Sequence, residues 1–169
     1  LESLKEMGAD LKIGKVRENA GEKMADIKIK HKQLQGIIVP KSRAPSMIDE
    51  YPILAIAASV ADGVSVFKGI EELRVKESDR LAAMAEGLKD CGVITKTTKN
   101  SLTINGKGGR PKGGVIIKSQ LDHRIAMSFL ILGLISKEPI SIDDAQPIET
   151  SFPGFIQLMN QLGANMELR

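Results

Sequence analysis

The sequence has no tryptophan, one tyrosine and four phenylalanines among 169 residues. Proteins that hold single-stranded nucleic acid stack its bases on aromatic rings, so this scarcity argues against that function. Charge points the same way: 24 lysines and arginines against 21 acidic residues leave a net +3, too even for a polyanion-binding surface. One cysteine, Cys91, excludes an internal disulfide and a cysteine-rich zinc site, and fits a reducing, cytoplasmic setting. Two histidines, His31 and His123, offer little to a metal centre. No apolar run is long enough to span a membrane; "IAMSFLILGLIS" (125–136) suits a buried helix instead. The opening "LESLKEMGADLKI" is charged and amphipathic, unlike a signal peptide. It starts inside a helical pattern, with Leu1, Leu4 and Met7 on one face, and the expectation is a fragment of a longer protein.

What is present is a regular alternation. Short β-like runs recur at 26–30, 36–40, 64–70, 101–106, 114–119 and 139–143. Between them, "DEYPILAIAASVADG" has Asp49 as N-cap and Pro52 in its first turn, where the missing N–H costs nothing. "SDRLAAMAEGLKDCG" aligns Leu81, Met84, Ala85 and Leu88 on one stripe, with Ser78 as cap and Gly92 as stop. "DHRIAMSFLILGLIS" repeats the first pattern, and "SFPGFIQLMNQLG" (151–163), again with an early proline, repeats the second. The order helix, strand, helix, strand, strand therefore recurs. Residues 1–30 close one unit, about 31–106 form a second, and about 107–169 a third. The first helix of each unit is apolar nearly all round, which places it beneath a sheet, and the fold class is α/β built from repeats. The glycine-rich "NGKGGRPKGG" (105–114) lacks the Gly-Lys-Ser/Thr ending of a phosphate loop. It reads as a flexible hairpin loop whose Lys107, Arg110 and Lys112 could touch an anion.

Three mixed-charge knots stand where helices begin. In "VKESDRL" a helix starting near Ser78 points free N–H groups and its positive dipole end toward Arg74, Lys76 and Arg80, which makes an anion site. Glu77 among these cations is a candidate general acid or base. The same residues also read as a cap by Ser78 and Asp79 with solvated ion pairs around it. In "LDHR" (121–124), Asp122 caps while His123 and Arg124 occupy the first turn. A histidine there is structural as readily as catalytic, but an arginine at the edge of a buried helix needs a carboxylate or phosphate partner. In "RAPSMIDEYP" (43–52), Asp49 either caps, accepts a proton from a substrate hydroxyl, or does both. If the units stack side by side, the three helix starts converge on one cleft suited to a small, multiply anionic ligand.

These residues carry a resemblance. "DEYPILAIAASVADG", "ELRVKESDRL", "LDHRIAMSF" and "TSFPGF", in this order, resemble the C-terminal part of the EPSP synthase (3-phosphoshikimate 1-carboxyvinyltransferase) family over nearly the whole sequence. The resemblance implies an enolpyruvyl transferase-like fold, an inverse α/β barrel of two globular halves. Each half is built from three βαβαββ units, this chain supplying most of the C-terminal half and the N-terminal domain being absent. It implies a transferase that moves the enolpyruvyl group of phosphoenolpyruvate to the 5-hydroxyl of shikimate 3-phosphate and releases phosphate. That step belongs to the shikimate pathway toward chorismate and aromatic amino acids. No metal or organic cofactor, nucleic acid or membrane is implied; the partners are the two anionic substrates and the N-terminal domain of the same chain.

Carried over by position, Asp49 resembles the carboxylate that binds the shikimate ring hydroxyls and moves the 5-hydroxyl proton. Lys76 resembles a contact to the 3-phosphate, and Glu77 the acid/base at the methylene carbon of phosphoenolpyruvate. Arg80 and Arg124 resemble clamps on the phosphoenolpyruvate anion, with His123 nearby. One departure is Thr150, where many members have a lysine ahead of the Ser/Thr-Phe-Pro motif. The chain alone is expected to be inactive. Two rival readings are enolpyruvyl transfer to a UDP-sugar, and a non-catalytic polyanion- or RNA-binding module of related fold.

Overall fold

A computed structural model describes residues 1–167, and the α/β alternation predicted from the sequence is present in it. Of the first unit the chain holds helix α1 (Glu2–Glu6), strand β1 (Asp10–Ile13), a hairpin of β2 (Arg17–Asn19) and β3 (Glu22–Met24), and β4 (Ile27–Lys30), antiparallel to β1. The second unit contains β5 (Ile38–Val39), a short helix α2 (Ala44–Met47), α3 (Tyr51–Val60) and β6 (Asp62–Lys68). It continues through α4 (Arg80–Asp90), β7 (Ile94–Thr97) and β8 (Ser101–Lys107). Its sheet runs β5-β6-β8-β7, with β5 parallel to β6 and the other pairs antiparallel, which is a βαβαββ unit. The third unit holds β9 (Ile116–Ile117), α5 (His123–Gly133), β10 (Ser141–Ile142), α6 (Gln146–Ser151) and α7 (Phe155–Gln161), with β9 and β10 parallel. The strands that the recurring order places after α7 are absent through residue 167, and residues 168 and 169 lie outside the described residues.

Period-two alternation sets the sheet's buried face. Phe67 opposes Leu102 and Ser65 opposes Ile104, and all four are buried. Against that face lies α3, which also packs on α5, while α4 packs on β7. Tyr51 of α3 meets Phe67 in a tilted ring pair with centroids 5.3 Å apart. The apolar helices α3 and α5 are largely buried, through Leu54, Ala55, Ile56 and Ala58 on one and Ile125, Ala126, Phe129 and Leu132 on the other, though Ile53 of α3 is exposed. Each large apolar side chain enclosed this way contributes about 1.5–3 kcal/mol. Ala126, Ile148 and Phe155 form a smaller cluster that fastens α6 and α7 beneath α5.

Two readings need correction. The helix expected over 151–163 begins only at Phe155, after Gly154 in the left-handed region (φ 78°), and Pro153 lies in the turn before it. Upstream of that turn, α6 (with Pro147 in its first turn) escaped notice because its polar sequence carries little periodicity. The 105–114 loop is no hairpin, since β9 pairs with β10 and not with β8. It crosses between units, and Arg110 donates from Nε and NH2 to the carbonyls of Ile135 and Ser136 beyond the end of α5. Arg110 thus satisfies two carbonyls of the loop that follows α5 and is committed away from any anion.

The approach of α4 to α5 matters because the two helices carry two of the polar knots. A Cβ added at Gly87 would lie 2.3 Å from Cζ of Phe129 on α5. Gly87→Ala is therefore expected to destabilise the chain by about 1–3 kcal/mol through overpacking, against a gain of about 1 kcal/mol for glycine to alanine in an unobstructed helix. A urea midpoint that rises would contradict this contact.

Candidate active site

The first knot begins after a 3-10 turn (Glu71–Val75), where Lys76 is extended and breaks the helical path. The cap is Asp79, not Ser78 as expected: Asp79 Oδ1 accepts the Ala82 N–H at 2.9 Å, and α4 starts at Arg80. Ser78 is drawn elsewhere, donating its hydroxyl to Asp122 Oδ2 at 3.0 Å. Arg74 also turns away from the expected anion site. It donates to Asp79 Oδ2 at 2.8 Å and to the carbonyls of Thr98 and Lys99 in the β7–β8 turn.

In the second knot Asp122 is the expected cap, its Oδ1 accepting from the N–H groups of Arg124 (2.9 Å) and Ile125 (3.4 Å). It follows Gln120 and Leu121, both in the left-handed region at φ 55° and 59°. Such a pair costs side-chain-bearing residues energy and persists only where the surroundings fix it. In the third knot the expected cap fails. Asp49 lies within a 3-10 turn (Ile48–Glu50) that runs into α3, whose first residue is Tyr51, and α3 has no side-chain cap. The turn removes Asp49 from the helix boundary, and its carboxylate goes to Arg80 instead.

Arg80 is where the three knots meet. Its side chain is 1% exposed, and each nitrogen serves a different carboxylate. Nε donates to Asp122 Oδ2 at 2.7 Å, NH1 to Asp49 Oδ1 at 2.8 Å, and NH2 to Glu77 Oε2 at 2.5 Å. Lys76 stands 3.8 Å from Asp49 Oδ1 and pairs with Glu72 at 2.7 Å. Arg124 NH1 donates to the Asp49 carbonyl at 2.8 Å and reaches Glu50 Oε1 at 3.5 Å, so the partner expected for it lies within the chain. Asp49, Lys76, Glu77, Arg80 and Arg124 are thus brought together. His123 occupies the first position of α5 and makes no hydrogen bond or ion pair among the described residues. Thr150 is exposed on α6.

The electrostatics follow from burial and pairing. Burial pulls the Arg80 guanidinium down, but hydrogen bonding and charge from Asp122, with Glu77 and Asp49, outweigh it and raise its pKa. Burial pushes Asp122 up, yet Arg80, the Arg124 N–H and the Ser78 hydroxyl hold it below the usual carboxylate range. Lys76 is raised, chiefly by its hydrogen bond to Glu72. Because the folded Asp122 is the stronger acid, its contribution to stability is present above the unfolded carboxylate value of about 3.9 and is lost as pH falls through the lowered folded value. Urea midpoints measured from pH 7 to pH 2.5 are expected to fall less steeply below pH 4 in Asp122→Asn. An unchanged acid limb would contradict this linkage.

Sequence reasoning missed the second role of Asp122. A capping aspartate uses one oxygen, and no spacing reveals that the other faces an arginine 42 positions away. A hollow of about 780 Å³ lies elsewhere, with a mostly apolar lining that includes Leu4, Met47, Leu54, Ala57, Ile131 and Ile135. A smaller hollow of about 280 Å³ opens beside Asp49 and Arg124, with Pro52, Met127, Ser128 and Phe152 in its wall. Among the described residues no group of three or more His, Cys, Asp or Glu side chains is placed to hold a metal ion, and no helix is long and apolar enough to cross a membrane.

Comparison with known proteins gives this geometry a context. The family model of EPSP synthase (3-phosphoshikimate 1-carboxyvinyltransferase) matches residues 1–159. A 3-phosphoshikimate 1-carboxyvinyltransferase of Paramagnetospirillum magneticum is 52% identical over 165 residues, covering 98% of this chain and 37% of the relative. The enzyme of that name from Chelativorans sp. is 54% identical over 168 residues, covering 99% and 37%. The solved EPSP synthase of Acinetobacter baumannii superposes with a TM-score of 0.93 at 45% identity, covering 98% of this chain and 39% of that one. The enolpyruvyl transferase NikO of Streptomyces tendae, at 18% identity and a TM-score of 0.68, shares the fold. This chain spans well under half the length of the relatives it matches. With one family model matching almost from end to end and the α/β repeat fold in common, the chain belongs to the EPSP synthase family.

Proposed function

We propose that this chain forms part of an enzyme that transfers the enolpyruvyl group of phosphoenolpyruvate to the 5-hydroxyl of shikimate 3-phosphate and releases phosphate. The observation that carries this reading is the meeting of three mixed-charge knots on Arg80, with one candidate acid/base, Glu77, at its edge. Glu77, about half exposed, gives a proton to the methylene carbon of phosphoenolpyruvate, which leaves C2 cationic. The 5-hydroxyl oxygen adds to C2 while Asp49 takes its proton, giving a tetrahedral intermediate. Glu77 then takes a methyl proton back as phosphate leaves, which restores the double bond in the ether product. Arg80 and Arg124 hold the phosphoenolpyruvate anion with His123 at the margin, and Lys76 holds the 3-phosphate. Fixed cations of this kind stabilise developing charge without reorganising during the reaction.

The chain works, in this reading, within a longer one whose N-terminal domain closes over these helix starts. Its three units occupy about 1–30, 31–106 and 107–169. The relatives' length supports this, as does the apolar groove bounded by residues of α1, α3 and α5, where the first unit's apolar helix would lie. The setting is cytoplasmic, consistent with one unpaired thiol, Cys91, that is fully buried and pushed up to about 11 by burial and the nearby Asp90 charge. Phosphate release by the full-length protein with phosphoenolpyruvate and either acceptor tests the assignment. Release with shikimate 3-phosphate is expected; release with a UDP-sugar alone would overturn it.

A further inference from the structure

Asp122 divides its two carboxylate oxygens between two tasks, and it is fully buried while doing so. Oδ1 caps α5 through the N–H groups of Arg124 and Ile125. Oδ2 takes Nε of Arg80 at 2.7 Å and the Ser78 hydroxyl at 3.0 Å. The three carboxylates around Arg80 therefore differ in kind. Asp122 is fixed in the core by four donors, whereas Asp49 and Glu77 are 43% and 52% exposed and each gives Arg80 one oxygen. An incoming anion can replace the exposed pair without leaving the buried guanidinium uncompensated, because Asp122 stays.

We propose that Asp122 is the positioning residue of the anion site: it pins Arg80 through Nε so that NH1 and NH2 exchange Asp49 and Glu77 for the carboxylate or phosphate of an arriving ligand. The same carboxylate fixes the backbone of Arg124, so one buried charge places both arginines. A guanidinium held at Nε keeps its planar fork aimed in one direction, which a free arginine side chain does not. This rests on the proposed binding of phosphoenolpyruvate at Arg80.

Asp122→Asn in the full-length protein separates the two tasks, since an asparagine oxygen still caps α5 while the charge facing Arg80 is gone. The expected result is a fall of about 30-fold or more in kcat/KM for phosphoenolpyruvate, with KM for shikimate 3-phosphate within about threefold of the parent. Asp79→Asn, at the cap of α4, where the side chain bonds the Ala82 N–H and Arg74, is expected to leave both KM values within about threefold. A phosphoenolpyruvate kcat/KM within threefold of the parent would make Asp122 a cap and nothing more. A parallel rise in both KM values would show general distortion and equally overturn the proposal. If the parent turns over but Arg80→Ala leaves the phosphoenolpyruvate parameters unchanged, the underlying reading fails instead. Should Asp122→Asn fail to fold, the Nε–H proton resonance of Arg80 in the unaltered protein decides the matter. It is expected to stay protected from exchange and unshifted when phosphoenolpyruvate and shikimate 3-phosphate are added, while the NH1 and NH2 signals move. Rapid exchange of Nε–H with solvent, free or bound, would refute the anchor.

Discussion

Replacing Arg80 with alanine is expected to lower the unfolding free energy of this chain by about 3–5 kcal/mol, the usual cost of breaking a buried ion pair from one side. Asp122 is fully buried and held as an anion by Arg80 more than by any other group. Without the guanidinium it keeps the Ser78 hydroxyl and two backbone N–H groups but loses its counter-charge. The knots would also come apart, since Arg80 is the residue that joins Asp49, Glu77 and Asp122. At a urea slope of about 2–3 kcal/mol per molar for a chain of this size, the midpoint followed by far-ultraviolet circular dichroism falls by roughly 1–2.5 M. The double variant Arg80→Ala with Asp122→Asn is expected to cost less than the sum of the singles, because the stranded charge is gone. A loss below about 1 kcal/mol for Arg80→Ala, typical of a surface pair, would contradict the hub.

The second large effect falls on rate and leaves stability nearly untouched. In the full-length protein Glu77→Gln is expected to lower kcat about 10²–10⁴-fold, because glutamine matches the shape of glutamate but has no proton to give the methylene carbon. Glu77 is 52% exposed and paired with Arg80, so the substitution is expected to change stability by no more than about 1 kcal/mol. KM values are expected to stay near those of the parent, since the cations that hold the substrates remain. Activity within a few-fold of the parent would remove Glu77 from the mechanism.

The fold was legible where periodicity and length were strong. The apolar helices α3 and α5 and the alternating strands β6 and β8 each announce a single solution. Short or broken elements were not: α6 is six residues of largely polar sequence, and a three-residue turn (Phe152, Pro153 and the left-handed Gly154) separates it from α7. At the site, the residues were legible but their partners were not. Asp49 reads as a cap because Pro52 stands three residues on, yet the intervening 3-10 turn frees its carboxylate for Arg80. Ser78 and Asp79 compete for the same cap, and which one wins depends on Asp122, 43 residues beyond Asp79. Long-range pairing of this kind is set by how the units stack, which local sequence does not encode.

The central claim is that the three knots make up one side of an active site whose other side lies on a different domain. The most direct test compares steady-state phosphate release from phosphoenolpyruvate and shikimate 3-phosphate by the purified 169-residue chain and by the full-length protein at equal concentration. The expected result is turnover by the full-length protein and none above background by the chain alone. Turnover by the isolated chain at a comparable rate would contradict the claim.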